Sequence, residues 1–140
     1  MTFIAWDDKL ATDIFVIDEE HKFLIENLNV LFDVCNDEAQ PLDEKDSLIR
    51  AVLSNLAHYT HTHFVVEEEM MRVFHYPDMD AHKAEHTSFV EKVAYLNSSV
   101  KEGGMDLSNS LLNFLKEWLT KHILGTDARM ASYLREKGQN

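Results

Sequence analysis

Eight histidines are spread over a chain of 140 residues that also carries 25 aspartates and glutamates, and several of them stand at fixed intervals from a second nitrogen or oxygen donor. His63 precedes Glu67 by four residues, His82 precedes His86 by four, and His122 precedes Asp127 by five. On an α-helix, residues four apart lie about 40° apart around the axis and about one turn along it, so each of the first two pairs can aim both side chains at one point. Such pairs chelate transition-metal ions. Five residues rotate by about 140°, so the third pair needs a local bend or bulge. Gly125 lies between its two members. His21 stands one turn before Leu24 and Ile25, on the same apolar stripe.

One at a time, these features have ordinary explanations. A lone histidine on an apolar face is commonly a hydrogen-bonded core residue, and a single His-x-x-x-Glu is a common surface pair. Together they do not. Five histidines and two carboxylates turned unpaired into one core would cost several kcal/mol, against a total domain stability of about 5–15 kcal/mol. A cation must satisfy them. Seven ligands exceed what one tetrahedral zinc uses and suit two six-coordinate ions sharing bridging carboxylates, one ion keeping an open position. Divalent copper or zinc would compete for five imidazoles, so spacing leaves the metal itself undecided.

The elements that must position these donors are helices, because four glycines and two prolines are too few turns for an all-β domain of this size. Asp18 is the expected cap of a first helix with the apolar face Leu24, Ile25, Leu28, Leu31, Phe32 and Cys35, ending near Asn36. A second pattern from about Asp43 (Leu48, Val52, Leu56, Tyr59, His63, Val66, Met70, Phe74) runs until Tyr76-Pro77-Asp78 stops it. A third carries His82, His86, Phe89, Val93, Leu96 and Val100 and closes at Gly103-Gly104. The fourth begins at Asp106 or Ser108, turns Leu111, Leu115, Trp118, Leu119, His122 and Met130 inward, and ends at Gly138. Four helices with short connections imply an all-α, up-down-up-down antiparallel four-helix bundle. The chain reads as a single domain over residues 1–140, an amino-terminal arm at 1–17 and the bundle at 18–137. Trp6 and the run Ile14-Phe15-Val16-Ile17 are the expected anchors of the arm.

A formal net charge of −12 repels nucleic acid and anionic membranes, and no apolar run approaches the length of a membrane span. Cys35 is the only cysteine, which excludes an internal disulfide and a zinc ribbon and suits a reducing compartment, so a cytoplasmic location is expected.

The set His21, His63-Phe64-x-x-Glu67-Glu68, His82-x-x-x-His86 and His122-x-x-x-x-Asp127 resembles the haemerythrins, most closely the bacterial single-domain type, over nearly the whole chain from Trp6 to about Leu134. The resemblance implies reversible dioxygen binding at a non-haem di-iron centre, two iron ions (Fe2+/Fe3+) with an oxo/hydroxo bridge. It implies that His82, His86 and His122 hold one iron, that His21 and His63 hold the other, and that Glu67 and Asp127 bridge them. It also implies that Leu24, Phe64, Trp118 and Leu119 line the oxygen pocket. Ferritin-like di-iron oxidases instead use Glu-x-x-His on two helices. No Glu-x-x-His occurs here.

The expected role is therefore that of an oxygen carrier, store or delivery protein, not an enzyme. The alternatives are an oxygen-sensing module acting through a separate partner, and a di-iron peroxide or nitric oxide reductase. The resemblance names no protein partner and suits a monomer or weak homo-oligomer. His58 and His61 face about 140° and 200° away from His63 and are expected in solvent, with His75 in a turn. In the run Glu67-Glu68-Glu69 only the first is expected to point inward, and Cys35, Met70 and Met71 read as core.

Overall fold

The computed structural model describes residues 3–39, 41–101 and 108–139. Its elements are α1 (Phe15–Cys35), α2 (Leu42–Val73), α3 (Met79–Lys101), α4 (Ser108–Lys121), a π-helical segment (His122–Asp127) and α5 (Ala128–Glu136). The last three follow one another without a break and form one rod, so the fold is a four-helix bundle and no strand occurs among the described residues. α2 packs against α1 and α3, and α1 also meets α4. The expected stop at Gly103-Gly104 and the start at Asp106 lie outside the described residues, as do the side chains of Leu96, Val100 and Leu111.

Asp18 does not cap the first helix. α1 begins three residues earlier, with Ile14 at its cap and no side-chain capping bond, so residues 15–17 of the expected arm are helical. The Asp18 carboxylate reaches back instead, accepting from the Thr12 and Asp13 N–H groups and from the Thr12 hydroxyl. This pins a turn in which Asp13 adopts φ 61°, a left-handed conformation that asparagine and aspartate tolerate better than most residues. Of the four-residue apolar run only Ile14 and Ile17 are sealed in the core, whereas Phe15 is 74% exposed. Helical periodicity, not an extended strap, sorts them.

The rest of the arm lies along α1. Ile4 and Asn29 exchange two hydrogen bonds, of 2.8 and 2.9 Å, Phe3 stacks on Phe32, and the Lys22 ammonium sits 5.0 Å from the Trp6 ring.

The inward stripe of α2 is rotated by about one residue from the expected one. Leu48 is exposed, Val52, Tyr59, Val66 and Met70 are half-buried, and the buried line is Ile49, Leu53, Leu56, Thr60, His63, Phe64, Glu67 and Met71. The apolar flank of a long helix also carries valines and methionines, so counting apolar residues traces the flank and passes over Thr60, which is polar and buried.

The core has two apolar clusters. One contains Leu24, Leu28, Leu53, Leu56, Phe64, Phe89, Leu115, Leu119 and Ile123 among others. The other is smaller and is built on Ile14, Ile17, Met71, Tyr76, Met130, Ala131 and Leu134. Along α1, α2 and the fourth rod, the buried polar residues His21, His63 with Glu67, and His122 with Asp127 fall between members of one cluster and members of the other.

Candidate metal centre

All seven sequence-chosen donors converge in that layer, and none is more than 3% exposed. His21 comes from α1, His63 and Glu67 from α2, His82 and His86 from α3, and His122 and Asp127 from the π segment. Their donor atoms form two overlapping groups, one of Glu67, His82, His86, His122 and Asp127 and one of His21, His63, Glu67 and Asp127, each lying within 4.8 Å. The two carboxylates belong to both groups and divide their oxygens between them. Glu67 Oε2 lies 3.3 Å from His21 Nε2 and 3.0 Å from His63 Nε2, whereas Oε1 lies 3.4 Å from His82 Nε2 and 3.1 Å from His86 Nε2. Asp127 Oδ2 faces His21 at 3.0 Å, and Oδ1 faces His82 at 2.9 Å and His122 at 3.0 Å.

These separations suit ions at the middle of each group. Two ligand atoms each about 2.1 Å from one ion and at right angles lie about 3.0 Å apart, the edge of an octahedron. Across such an edge the rings aim at the ion and not at the neighbouring oxygen. Accordingly, both nitrogens of His21 and of His82 and all four oxygens of Glu67 and Asp127 are buried without a hydrogen bond of acceptable geometry. Buried polar atoms left this way cost about 1–3 kcal/mol each. His86 Nε2 and His122 Nε2 stand 3.1 Å apart, two lone-pair donors brought together at a common point.

The five-residue interval between His122 and Asp127 is met by the π segment, whose i→i+5 hydrogen bonds bring residues five apart onto one face. The expected bulge is therefore present. Gly125 is not required for space, since an added Cβ would meet only the Arg129 guanidinium at 3.8 Å.

Three further carboxylates secure the histidines from outside. His63 Nδ1 pairs with Glu20 at 2.9 Å, His86 Nδ1 with Glu68 at 2.9 Å, and His122 Nδ1 with Glu85 at 3.0 Å. The Thr126 hydroxyl also donates to Glu85, at 2.8 and 2.9 Å to its two oxygens. Glu68 is thus not merely a solvated edge. Sequence reasoning missed all three, although each one adjoins a donor in the chain: Glu20 beside His21, Glu68 beside Glu67, and Glu85 beside His86. That adjacency was the available signal, because neighbouring helices cross at the donor layer.

Without metal, the basicity of four of the histidines is set by the carboxylates around them. Burial alone would lower the basicity of His63, but the Glu67 and Glu20 carboxylates outweigh it and push its pKa up to about 10. His82 is likewise pushed up to about 9, where Asp127 and Glu67 overcome burial. His21 and His122 are raised for the same reason. Glu67 and Asp127 move the other way: burial opposes their ionisation, but the surrounding histidines hold both below the usual carboxylate range.

Above the layer lies a small apolar cavity of about 10 Å³, room for about one water-sized molecule. Leu24, Phe64, Trp118 and Leu119, the four expected pocket residues, all line it, joined by Leu28, Leu56, Thr60, Phe89 and Leu115. Phe64 stacks on His86 at 3.7 Å between ring centroids, and Trp118 stacks on His122 at 4.4 Å. The Thr60 hydroxyl donates to the Leu56 carbonyl at 2.5 Å, which leaves it no proton for a guest in the cavity. His58 and His61 are exposed on the far face of α2, and His75 is exposed in the turn after it with φ 56°.

The family model described as "Hemerythrin HHE cation binding domain" matches residues 12–134. A bacteriohemerythrin of Stenotrophomonas maltophilia (strain R551-3) is 33% identical over 135 residues, covering 96% of this chain and 84% of the relative. A myohemerythrin of Theromyzon tessulatum is 32% identical over 124 residues, covering 87% and 86%. A crystal structure of wild-type hemerythrin superposes with a TM-score of 0.80 at 28% identity, over 94% of this chain and 98% of that one. With the donor layer, the helix order and the family model in agreement over almost its whole length, the chain belongs to the haemerythrin family.

Proposed function

We propose that the chain binds dioxygen reversibly at a non-haem di-iron centre and serves as an oxygen carrier, store or delivery protein. The observation that carries this reading is the division of the Glu67 and Asp127 oxygens between two histidine groups directly beneath an apolar cavity. In it, His82, His86 and His122 would hold one ion, His21 and His63 would hold the other, and Glu67 and Asp127 would be shared between them. When bound, the iron pair supplies the electrons that make dioxygen binding favourable and reversible.

The protein supplies the rest. The group with two histidines has fewer protein donors, so an ion held there would have a position left for a guest. Leu24, Phe64, Trp118 and Leu119 keep water, and the protons it carries, from that position. The cavity has room for about one water-sized molecule, a fit for a diatomic gas, which favours binding over oxygenation and supports a role other than that of an enzyme. We place the protein in the cytoplasm, on its acidic charge and single cysteine, and as a monomer or weak homo-oligomer. No helix among the described residues is long and apolar enough to cross a membrane.

The test is the metal content, together with the visible absorption of the reduced protein before air, after air and again under argon. An absorption band that arrives with oxygen and leaves with it, at two irons per chain, supports the reading. Zinc, or one metal per chain, overturns it.

A further inference from the structure

The three outer carboxylates are unevenly shared. In the group of His82, His86 and His122, two of the three rings are held from outside, His86 by Glu68 and His122 by Glu85. In the group of His21 and His63, only His63 is held by an outer carboxylate among the described residues, by Glu20. Among the described residues, the Nδ1 atoms of His21 and His82 are buried without a hydrogen-bond partner. Loss of Glu68 or Glu85 therefore leaves the three-histidine group one secured ring, and loss of Glu20 leaves the two-histidine group none. Glu20 is also the least exposed of the three, its side chain 17% exposed against 28% for Glu68 and 42% for Glu85, so water is least able to replace it.

We propose that Glu20 is the positioning residue on which metal retention at the His21/His63 position depends, while Glu68 and Glu85 share that task at the other position. The inference rests on the two-metal reading above. Its physical basis is ring orientation. A carboxylate accepting the Nδ1–H fixes the tautomer and turns Nε2 inward, and removing such a partner weakens metal binding by about 10- to 100-fold. With no other outer bond in its group, the two-histidine position takes that loss in full.

The experiment loads the protein with cobalt(II), challenges it with a chelator, and follows both the metal released and the paramagnetically shifted imidazole resonances that remain. Those resonances identify the surviving position, three rings for one and two for the other. Glu20→Ala is expected to lose its first cobalt about 10- to 100-fold faster than the unaltered protein and to retain the three-ring set. Glu68→Ala and Glu85→Ala are each expected to stay within about tenfold of the unaltered protein, and the double variant to retain the two-ring set. Glu20→Gln keeps the reach of the acceptor and is expected to hold its metal, while Glu20→Asp keeps the charge but loses the reach and is expected to leak. That pair carries the test if Glu20→Ala fails to fold. Unaltered protein that never takes up two cobalt ions would defeat the two-metal reading itself. Unaltered protein that holds two, beside a Glu20→Ala variant that releases at the same rate or loses both ions together, defeats this inference alone.

Discussion

Stripping the metals is expected to reverse the way stability depends on pH. In the metal-free layer the His63 proton is held by Glu67 and Glu20, with a pKa of about 10 against 6.5 for the free side chain, and His82 is pushed up to about 9. A group raised in the folded state contributes fully below its unfolded pKa and loses that contribution as pH climbs through the folded one. Glu67 and Asp127 are lowered, so their contribution is present above the ordinary carboxylate range and is lost as pH falls. Metal-free protein should therefore be most stable between about pH 4.5 and 6.5 and weaken from there to pH 10. A proton bound on the order of a thousandfold more tightly in the folded chain is worth about 4 kcal/mol. His63 and His82 share Glu67, so that figure is used once, not twice. With a urea m-value of about 2 kcal/mol/M, the unfolding midpoint should drop by about 2 M. In the metal-loaded protein the ions need neutral imidazole and compete with those protons, so its stability should hold or rise over the same interval. Urea titrations followed by helical circular dichroism at pH 6, 8 and 9.5, with and without metal, read both slopes. A metal-free midpoint that stays level or rises above pH 6.5 would refute the charge assignment.

Other outcomes test the geometry. His82→Ala and Glu67→Ala should each abolish loading of two metals, while His58→Ala and His61→Ala, on the exposed face of α2, should load normally by metal analysis. Gly125→Ala should keep both metals, because the new methyl group meets nothing nearer than the Arg129 guanidinium at 3.8 Å; loss of either ion would show that the π segment depends on glycine. Burial pushes the Cys35 thiol up to about 11, so its reaction with a thiol reagent should be slow at pH 8 and accelerate steadily toward pH 10. A fast, pH-independent reaction would show the thiol to be open.

The donor layer was legible because its residue types are costly to bury and their intervals match helical geometry. His63 with Glu67 and His82 with His86 needed only the four-residue repeat. The interval from His122 to Asp127 broke the repeat, and that misfit is where the helix departs from α geometry. The outer shell was not legible. Glu20, Glu68 and Glu85 look like the many other acidic residues of a charged surface, and only the crossing of neighbouring helices shows that each one reaches a histidine on the next. The start of α1 is hidden in the sequence for a related reason. Asp18 has the residue type of a cap, but its carboxylate serves the turn before the helix. Leu28, Leu56 and Leu115 read in the sequence as ordinary core, since nothing in their spacing separates a cavity wall from packing.

The layer of buried donors also splits the apolar interior into two clusters that lie on either side of it. Ions held there would tie α1, α2, α3 and the π segment together at that level, so the two halves are expected to melt as one cooperative unit. Without the ions, the donor side chains are joined to one another by ion pairs that pH can dissolve. The smaller half, built on Ile14, Ile17, Met71 and Met130, then becomes free to open by itself. Hydrogen exchange would register this as early loss of protection in α5 and at the start of α1, while amides beside Leu28, Leu53 and Leu115 stay closed.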